Sequence, residues 1–207
     1  MIPLVFRAPA QAKIDKAQVK AEKIRRAVKF SIVGVVIILA VLVINTYIIS
    51  VTTVDGISMQ PTLHTGNLLI LWKFPVTWAK ITGQQYIPAR GNVVIIDKSP
   101  VLKEDLVKRV IGLPGDYVKI SNEVVTIYNS KHPNGFNPDN APFGKHLSPT
   151  DGYFTTHVGA GYIFVMGDNR VAGASEDSRS SLGNIPYYHL QGRVLMRVFP
   201  FTEIKLF

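Results

Sequence analysis

Two side chains of this sequence could carry out nucleophilic catalysis together. Ser58 stands just before a Met-Gln-Pro-Thr-Leu segment, and Lys108 lies further along in a run of mostly apolar residues. A serine hydroxyl is a poor nucleophile until a base takes its proton, and a lysine can be that base where burial keeps it neutral. The chain contains no cysteine, so thiol catalysis is excluded. The pair suggests a serine–lysine hydrolase.

Each of these residues also has a purely structural interpretation, and on local grounds it is the favoured one. Ser58 could be a turn serine that leaves a strand, although Gly56 just before it allows a close approach of the backbone, which a catalytic serine could use. Lys108 lies in a strand pattern, and strand alternation places it on the face of Leu106 and Val110. Desolvation on such a face favours the neutral amine. On an exposed edge strand the same lysine would be an ordinary surface cation.

A polar loop follows the apolar run at residues 162–166. Residues 167–170 read Gly-Asp-Asn-Arg, and residues 175–179 read Ser-Glu-Asp-Ser-Arg. Asp168 or Asp177 could pair with the arginines of this loop and close a site, although a solvated loop or a cation site fits the same residues. The five histidines are scattered without metal-ligand spacing, and no Gly-x-Ser-x-Gly elbow occurs. We therefore expect no metal and no other cofactor.

A membrane anchor precedes these residues. Residues 30–49 contain no charged side chain, and twenty helical residues span about 30 Å, the thickness of the hydrocarbon core. Residues 1–29 hold eight basic and two acidic residues, so +6 of the net charge of +9 lies before the apolar run. This asymmetry predicts a cytoplasmic N-terminus and argues against nucleic-acid binding. The run is longer than the roughly 7–15 apolar residues of a cleavable signal sequence, which favours an uncleaved anchor.

The sequence thus divides into a basic cytoplasmic segment (1–29), a transmembrane helix (30–50) and an extracytoplasmic catalytic domain (51–207). In the domain, short apolar runs alternate with Gly, Pro, Asn and Asp, which predicts a mainly β fold with an antiparallel sheet or barrel. Asn122 and Glu123 read as a hairpin turn. Residues 129–157 lack periodicity and are interpreted as a small cap or long excursion. The predicted strands are residues 68–72, 92–97, 106–111, 117–121, 124–128, 162–166 and 193–199.

Taken in order, four blocks of the sequence resemble the type I signal peptidase family, the membrane-bound serine–lysine leader peptidases. One block alone is a modest signal, but four in order behind a leading anchor are specific. The blocks are 58–63 (Ser-Met-Gln-Pro-Thr-Leu), 90–94 (Arg-Gly-Asn-Val-Val), 108–116 (Lys-Arg-Val-Ile-Gly-Leu-Pro-Gly-Asp), and 167–170 with 175–179.

The resemblance implies a role for each matching residue. Ser58 would be the nucleophile, its backbone N–H an oxyanion donor, and Lys108 the general base. Ser175 would orient the lysine. Asp177 and Arg179 would form a structural pair that supports the site. The same supporting block also contains Asp168 and Arg170.

The sequence departs from the family pattern at three places. Gly56 stands where some relatives carry a serine that supplies a second oxyanion donor, and Asn92 stands where an aspartate is usual. Residues 171–174 (Val-Ala-Gly-Ala) separate Arg170 from Ser175 where two residues are usual. We expect the extra pair to bulge outward, so that Ser175 still reaches Lys108.

The resemblance implies an endopeptidase that cleaves signal peptides from exported preproteins at the outer face of the cytoplasmic membrane. Its partners would be these preproteins and the lipid bilayer. Two alternatives stay open, namely a serine–lysine protease that matures one exported protein, and a non-catalytic tethered domain that binds peptides. The residues expected to bind substrate near Ser58, in a shallow pocket that favours small side chains, are Val54, Gly56, Met59, Leu63 and Val107.

Overall fold

The computed structural model describes residues 9–97 and 104–207, with side chains at residue 16 and from residue 18 onward. The chain forms two compact units, a helical one that ends at Asn45 and a second one that runs from Thr46 to Phe207. Helix α1 (Pro9–Tyr47) has 39 residues. Its part from Gln18 to Tyr47 is long and apolar enough, by length and composition, to cross a membrane.

Helix α1 includes residues 9–29 of the basic segment as well as the apolar run. Alanine, lysine, arginine and glutamine, all good helix formers, dominate the described residues before the apolar run. Arg26 and Glu22 form an i,i+4 ion pair on this part of the helix. The helix ends at Tyr47, three residues before the predicted boundary at residue 50, because Ile49 and Ser50 already belong to the first strand.

Among the described residues of the second unit, twelve strands, all paired antiparallel, make up two sheets. The larger sheet has the order β1-β2-β11-β3-β4-β9-β10, with β12 paired to β11. The smaller one has the order β7-β6-β5-β8. The strands are β1 (Ile49–Thr53), β2 (Leu68–Trp72), β3 (Val93–Ile96), β4 (Leu106–Gly112), β5 (Tyr117–Ser121), β6 (Val124–Asn129), β7 (His132–Phe136), β8 (Phe154–His157), β9 (Tyr162–Met166), β10 (Ile185–Pro186), β11 (Leu190–Phe199) and β12 (Lys205–Leu206).

This architecture confirms the predicted mainly antiparallel β fold with an N-terminal apolar helix. All seven predicted strands are present. The hairpin turn between β5 and β6 is also present, and both of its central residues, Asn122 and Glu123, have positive φ (51° and 65°). Such a pair of left-handed residues forms the tight turn that matches the twist of a hairpin.

The structure adds elements that the sequence patterns did not predict. Helix α2 (Phe74–Thr82) follows β2 directly. The strands β1, β7, β8, β10 and β12 also lie outside the predicted set. Residues 129–157, interpreted as a cap or excursion, contain β7, β8 and the 3₁₀ turns Pro138–Asn140 and Pro142–His146, so this segment supplies two of the four strands of the smaller sheet.

The loop between β1 and β2, which carries Ser58, is held by its own apolar side chains. Val54, Met59 and Leu63 are all at most 3% exposed and pack in one cluster with Leu69 and Leu71 of β2. A second cluster lies under β4 and β9, and a third lies between β4, β9 and the smaller sheet. Ser58 therefore stands on a loop that is anchored on both sides in the core.

Candidate active site

Tight turns fix the backbone on both sides of Ser58. Gly56 has φ +92°, a left-handed conformation that favours glycine. The Thr65 hydroxyl accepts a hydrogen bond from the Gly56 N–H and donates one to the Gly56 carbonyl, both at 3.1 Å. After Ser58, the Leu63 N–H donates to the Met59 carbonyl. These bonds hold the two ends of the loop, so that the position of the Ser58 hydroxyl is set by the loop as a whole.

Lys108 lies on β4 and its ammonium group meets the Ser58 hydroxyl. The Nζ–Oγ distance is 2.8 Å, and Nζ also donates to the Val107 carbonyl at 3.1 Å. Strand β4 lies between β3 and β9 in the larger sheet, and Lys108 is paired in register with the fully buried Val94. The lysine itself is only 1% exposed.

Burial makes the neutral form of Lys108, the form that can accept a proton, more populated near neutral pH than it would be in a surface lysine. Loss of hydration lowers the pKa of Lys108 from 10.5 to about 8, although the carboxylates of Asp177 and Glu176 partly oppose this shift. A neutral amine beside a serine hydroxyl can accept its proton. The arrangement can thus generate an alkoxide-like nucleophile without a histidine or a metal.

The segment 167–169 holds the main chain of Ser58 from the other side. The Asn169 N–H donates to the Ser58 carbonyl at 2.9 Å, and the Asn169 side-chain amide donates to the Ile57 carbonyl at 3.3 Å. Gly167 packs so closely that a Cβ atom there would collide with the Ser58 carbonyl and the Ser175 hydroxyl. Sequence analysis did not assign a role to Asn169. Its position inside the fourth block was the available signal.

Asp177 and Arg179 form the pair that the sequence predicts. Two guanidinium nitrogens of Arg179 each donate to the Asp177 carboxylate at 2.9 Å, and the Gly167 N–H donates to it at 3.0 Å. Burial alone would raise the pKa of Asp177, but these hydrogen bonds and the charge of Arg179 outweigh it and hold the pKa below its ordinary value of 3.8. Asp177 is therefore an anion near Lys108.

The other predicted supporting residues have partners outside their own loop. Asp168, which was expected to pair with an arginine of the loop, makes two hydrogen bonds at 2.6–2.8 Å with the buried Arg109 of β4 instead. Arg170 makes two hydrogen bonds of 2.7 Å with Asp139 and one of 2.9 Å with Thr150. These pairs tie the fourth block to β4 and to the smaller sheet.

Sequence reasoning missed Arg109 and Asp139, for different reasons. Arg109 lies among apolar residues in a predicted strand, which indicates that its side chain is buried. Because a buried guanidinium needs a carboxylate partner, the sequence did contain a signal for an ion pair. Asp139 lies in the 3₁₀ turn Pro138–Asn140, where no local pattern indicates a long-range partner.

The lengthened connection at residues 171–174 bulges outward as expected. Residues 171–173 are exposed, and a turn is closed by the Ala174 N–H, which donates to the Val171 carbonyl at 3.2 Å. Ser175 is turned inward, with its hydroxyl buried next to Gly167 and close enough to Asp177 to help lower its pKa. Within the described part of the chain, however, this hydroxyl has no hydrogen bond of ordinary geometry, and the expected bond to Lys108 is not formed.

The sequence profile of the family described as signal peptidase, peptidase S26 matches residues 25–199, which include Ser58, Lys108 and the fourth block. The chain belongs to the S26 signal peptidase family.

Several S26 relatives resemble the chain over most of their length. The signal peptidase I of Bacillus licheniformis is 33% identical over 193 residues, which are 92% of this chain and 97% of the relative. The signal peptidase I T of Bacillus subtilis (strain 168) is 32% identical over 83% of this chain and 84% of the relative. The signal peptidase IB of Staphylococcus aureus (strain COL) is 31% identical over 79% and 84%. A solved signal peptidase I from Enterococcus faecalis V583 aligns with a TM-score of 0.40 and 25% identity over 53% of this chain and 98% of that one.

In this S26 family member a cavity of about 230 Å³ opens beside Ser58 and Lys108. Three of the residues expected to bind substrate, Val54, Met59 and Val107, line it. Two others do not. Leu63 is fully buried behind the loop in the apolar cluster, because its side chain anchors the loop to β2. Gly56 lies on the exposed turn before Ser58.

Proposed function

We propose that this chain is a membrane-anchored serine endopeptidase that removes signal peptides from exported preproteins, with Ser58 as nucleophile and Lys108 as general base. The observation that carries the proposal is the 2.8 Å contact between the Ser58 hydroxyl and a lysine that is 1% exposed and has a pKa lowered to about 8. Family membership supports the same reaction, since the relatives are signal peptidases.

In the proposed reaction neutral Lys108 takes the proton of Ser58, and the serine oxygen attacks the carbonyl carbon of the scissile bond. The backbone N–H of Ser58 makes no hydrogen bond with the described part of the chain, so it is available to the oxyanion. Protonated Lys108 then gives its proton to the leaving amine, and an acyl-enzyme forms. Lys108 next activates a water molecule, which hydrolyses the ester and regenerates Ser58.

The substrate would bind as an extended strand between two segments that border the cavity. One is the end of β1, which among the described strands is an edge strand paired only with β2. The other is the start of β4, where Leu106 and Val107 line the cavity before the pairing with β9 begins at Arg109. Main-chain hydrogen bonds to such edges give affinity for many sequences, and a small cavity selects the side chain next to the cut.

The anchor would be helix α1, with its N-terminus in the cytoplasm and the β domain outside. Support comes from the length and composition of its apolar part and from the excess of basic residues before it. The cavity would then face substrates that have crossed the same membrane.

The proposal is tested by incubating the purified full-length protein with a preprotein in detergent or vesicles and determining the cut position by mass spectrometry. We expect one cut after a small residue at the end of the signal peptide, and no cut by Ser58→Ala. Binding of the preprotein without any cut by the wild type would contradict the proposed activity. Cleavage of a single preprotein from a mixed set would favour the narrower maturation protease.

A further inference from the structure

Helix α2 presents an apolar stripe to the outside of the β domain. Its inner face is fixed by Val76 and Ala79, which are 4% and 8% exposed. On the opposite face Phe74, Trp78 and Ile81 recur at helical spacing and are 42%, 53% and 72% exposed, with the Phe74 and Trp78 rings stacked at 6.0 Å. Within the described part of the chain nothing covers this stripe, which leaves it free for a partner of another kind.

The residues around the stripe match the interface of an anionic bilayer. Both tryptophans of the chain, Trp72 and Trp78, lie in or next to α2, and tryptophan is enriched where the hydrocarbon core meets the headgroups. Lys73 precedes the helix and Lys80 lies in its last turn. No acidic residue occurs between Asp55 and Asp97. An apolar stripe flanked by cations is the composition of a helix that lies in the membrane surface.

Backbone hydrogen bonds connect the start of α2 to the residue that follows the membrane-length helix. Helix α1 ends at Tyr47, and the carbonyl of the next residue, Ile48, accepts hydrogen bonds from the N–H groups of Lys73 and Phe74 at 2.8 and 3.2 Å. If α1 crosses a bilayer, the chain leaves the hydrocarbon near Ile48. The first turn of α2 then stands one hydrogen bond away from that exit point.

We infer that the outer face of α2, formed by Phe74, Trp78 and Ile81, lies in the surface of an anionic lipid bilayer. The inference rests on the proposed membrane anchoring by α1. It assigns α2 the task of fixing the β domain against the surface. Strand β1 runs from the exit point toward the Ser58 loop, and its five residues span about 17 Å. The docked helix would keep the proposed cleavage site within reach of substrates that are still held in the membrane.

Spin labels at single cysteines test this inference in the full-length protein, because the native chain contains no cysteine. The test variant is Ile81→Cys, and the matched control is Tyr153→Cys, a residue of similar exposure (75% against 72%) just before β8 of the smaller sheet. Ile38→Cys, on α1, reports on the anchor. Each labelled protein is placed in vesicles of phosphatidylcholine and phosphatidylglycerol, and the accessibility of the label to oxygen and to a water-soluble nickel complex is measured.

We expect the label at position 81 to show a severalfold higher ratio of oxygen to nickel accessibility than the label at position 153. A ratio at position 81 equal to that at 153 would place α2 in water and overturn the inference. Low accessibility to both reagents at position 81 would place it in a protein contact, such as a second copy of the chain, and would overturn it as well.

The position 38 label separates the failure of this inference from the failure of the anchor. A lipid signal at position 38 without one at position 81 removes only the docking of α2, whereas an aqueous signal at position 38 removes the anchoring itself. Preprotein cleavage by the same samples reports independently on the proposed activity. If Ile81→Cys fails to fold, tryptophan fluorescence makes the same measurement. In Trp72→Phe, Trp78 is the single remaining tryptophan, and the quenching of its fluorescence by brominated lipids is measured. Strong quenching supports docking, and quenching no greater than that by a water-soluble quencher contradicts it.

Discussion

Lys108 is a cation at a position where the fold disfavours charge. Its pKa is lowered from 10.5 to about 8 by burial, so the folded protein binds a proton there less tightly than the unfolded chain does. Between these two pKa values the unfolded state holds more protons, and the free energy of unfolding therefore rises with pH through this window. Below about pH 8 the buried ammonium lowers stability. The residue that serves as the proposed base thus lowers the free energy of unfolding of the protein.

Replacing the lysine by an apolar side chain should show both effects. We expect Lys108→Met to abolish preprotein cleavage and, at pH 7, to raise the free energy of unfolding by as much as roughly 3 kcal/mol, the equivalent of the pKa shift. The gain should shrink as the pH approaches 10.5, where the wild-type lysine is neutral in both states. Denaturant unfolding at several pH values checks this. Ser58→Ala, which keeps the lysine, is the control, and a destabilised Lys108→Met at every pH would contradict the argument.

The pH dependence of cleavage follows from the same pKa. Only neutral Lys108 can accept the serine proton, so kcat/KM should rise with pH through a midpoint near 8, the pKa of Lys108 in the free enzyme. Glu176→Gln removes a nearby carboxylate that raises the pKa of Lys108, so this variant should move the midpoint to lower pH. A midpoint near 6.5, the ordinary range of histidine, would indicate a different base.

Asn169 is a positioning residue in this arrangement, because it touches the main chain of the serine loop and no reacting atom. Its side-chain amide donates to the Ile57 carbonyl at 3.3 Å. One such hydrogen bond contributes about 0.5–1.5 kcal/mol, so Asn169→Ala should lower kcat by up to about tenfold with little change in KM. The control is Asn184→Ala, which removes a comparable bond to the His157 carbonyl. Equal losses of activity in both variants would indicate a general effect on folding.

Sequence reasoning at the residue scale succeeded where the family blocks guided it. Spacing alone left a turn serine and a surface lysine as the favoured interpretations, and the resemblance brought Ser58 and Lys108 together. Thr65 was missed because it acts through backbone groups of the loop, and such contacts leave no pattern in the side-chain sequence. Asn169 also acts through backbone groups, and its position inside the fourth block was the one signal for it.

At the scale of elements, the strands made of long apolar runs were predictable, whereas edge strands such as β1 and the short helix α2 were not. Strand β3 is buried along its whole length and reads as Val-Val-Ile-Ile, a pattern typical of a central strand. Strand β1 reads Ile-Ser-Val-Thr-Thr, with exposed residues alternating with half-buried ones, and it follows the apolar helix closely, so hydropathy merges the two. Helix α2 has apolar residues on both faces, which hides its periodicity.

The connection at residues 171–174 gives a prediction at this scale. Its exposed turn leaves Ser175 buried next to Gly167, so the orienting role of Ser175 stays a prediction. We expect Ser175→Ala to reduce kcat strongly and to leave the melting temperature nearly unchanged, because its hydroxyl makes no ordinary hydrogen bond within the described residues. Removing two residues of the turn should preserve activity. Full activity of Ser175→Ala would indicate that another group orients Lys108. Ser178 is a candidate, but its hydroxyl already accepts a hydrogen bond from the Val165 N–H.

At the scale of the whole molecule, ion pairs join segments that are far apart in the sequence. Arg109–Asp168 links β4 to the fourth block, and Arg170–Asp139 links that block to the turn Pro138–Asn140 beside the smaller sheet. The sequence supplied the charged residues but not their partners, because partner choice depends on how the sheets pack. The predicted residues Asp168 and Arg170 therefore belong to these ion pairs, whereas their partners, Arg109 and Asp139, were not predicted.

The arrangement of the whole chain across a membrane yields the last prediction. Residues 1–29 carry a net charge of +6, and positive segments are retained on the cytoplasmic side. A tag before Met1 should therefore resist protease added to intact cells whose outer barriers have been removed, while a tag after Phe207 should be digested. Reversing the charge of the flank, with Lys20, Lys23, Arg25, Arg26 and Lys29 changed to Glu, should reduce the fraction of correctly oriented protein and the cleavage of exported preproteins together. Digestion of the N-terminal tag in the unaltered protein would contradict the proposed orientation and, with it, a cleavage site on the outer face.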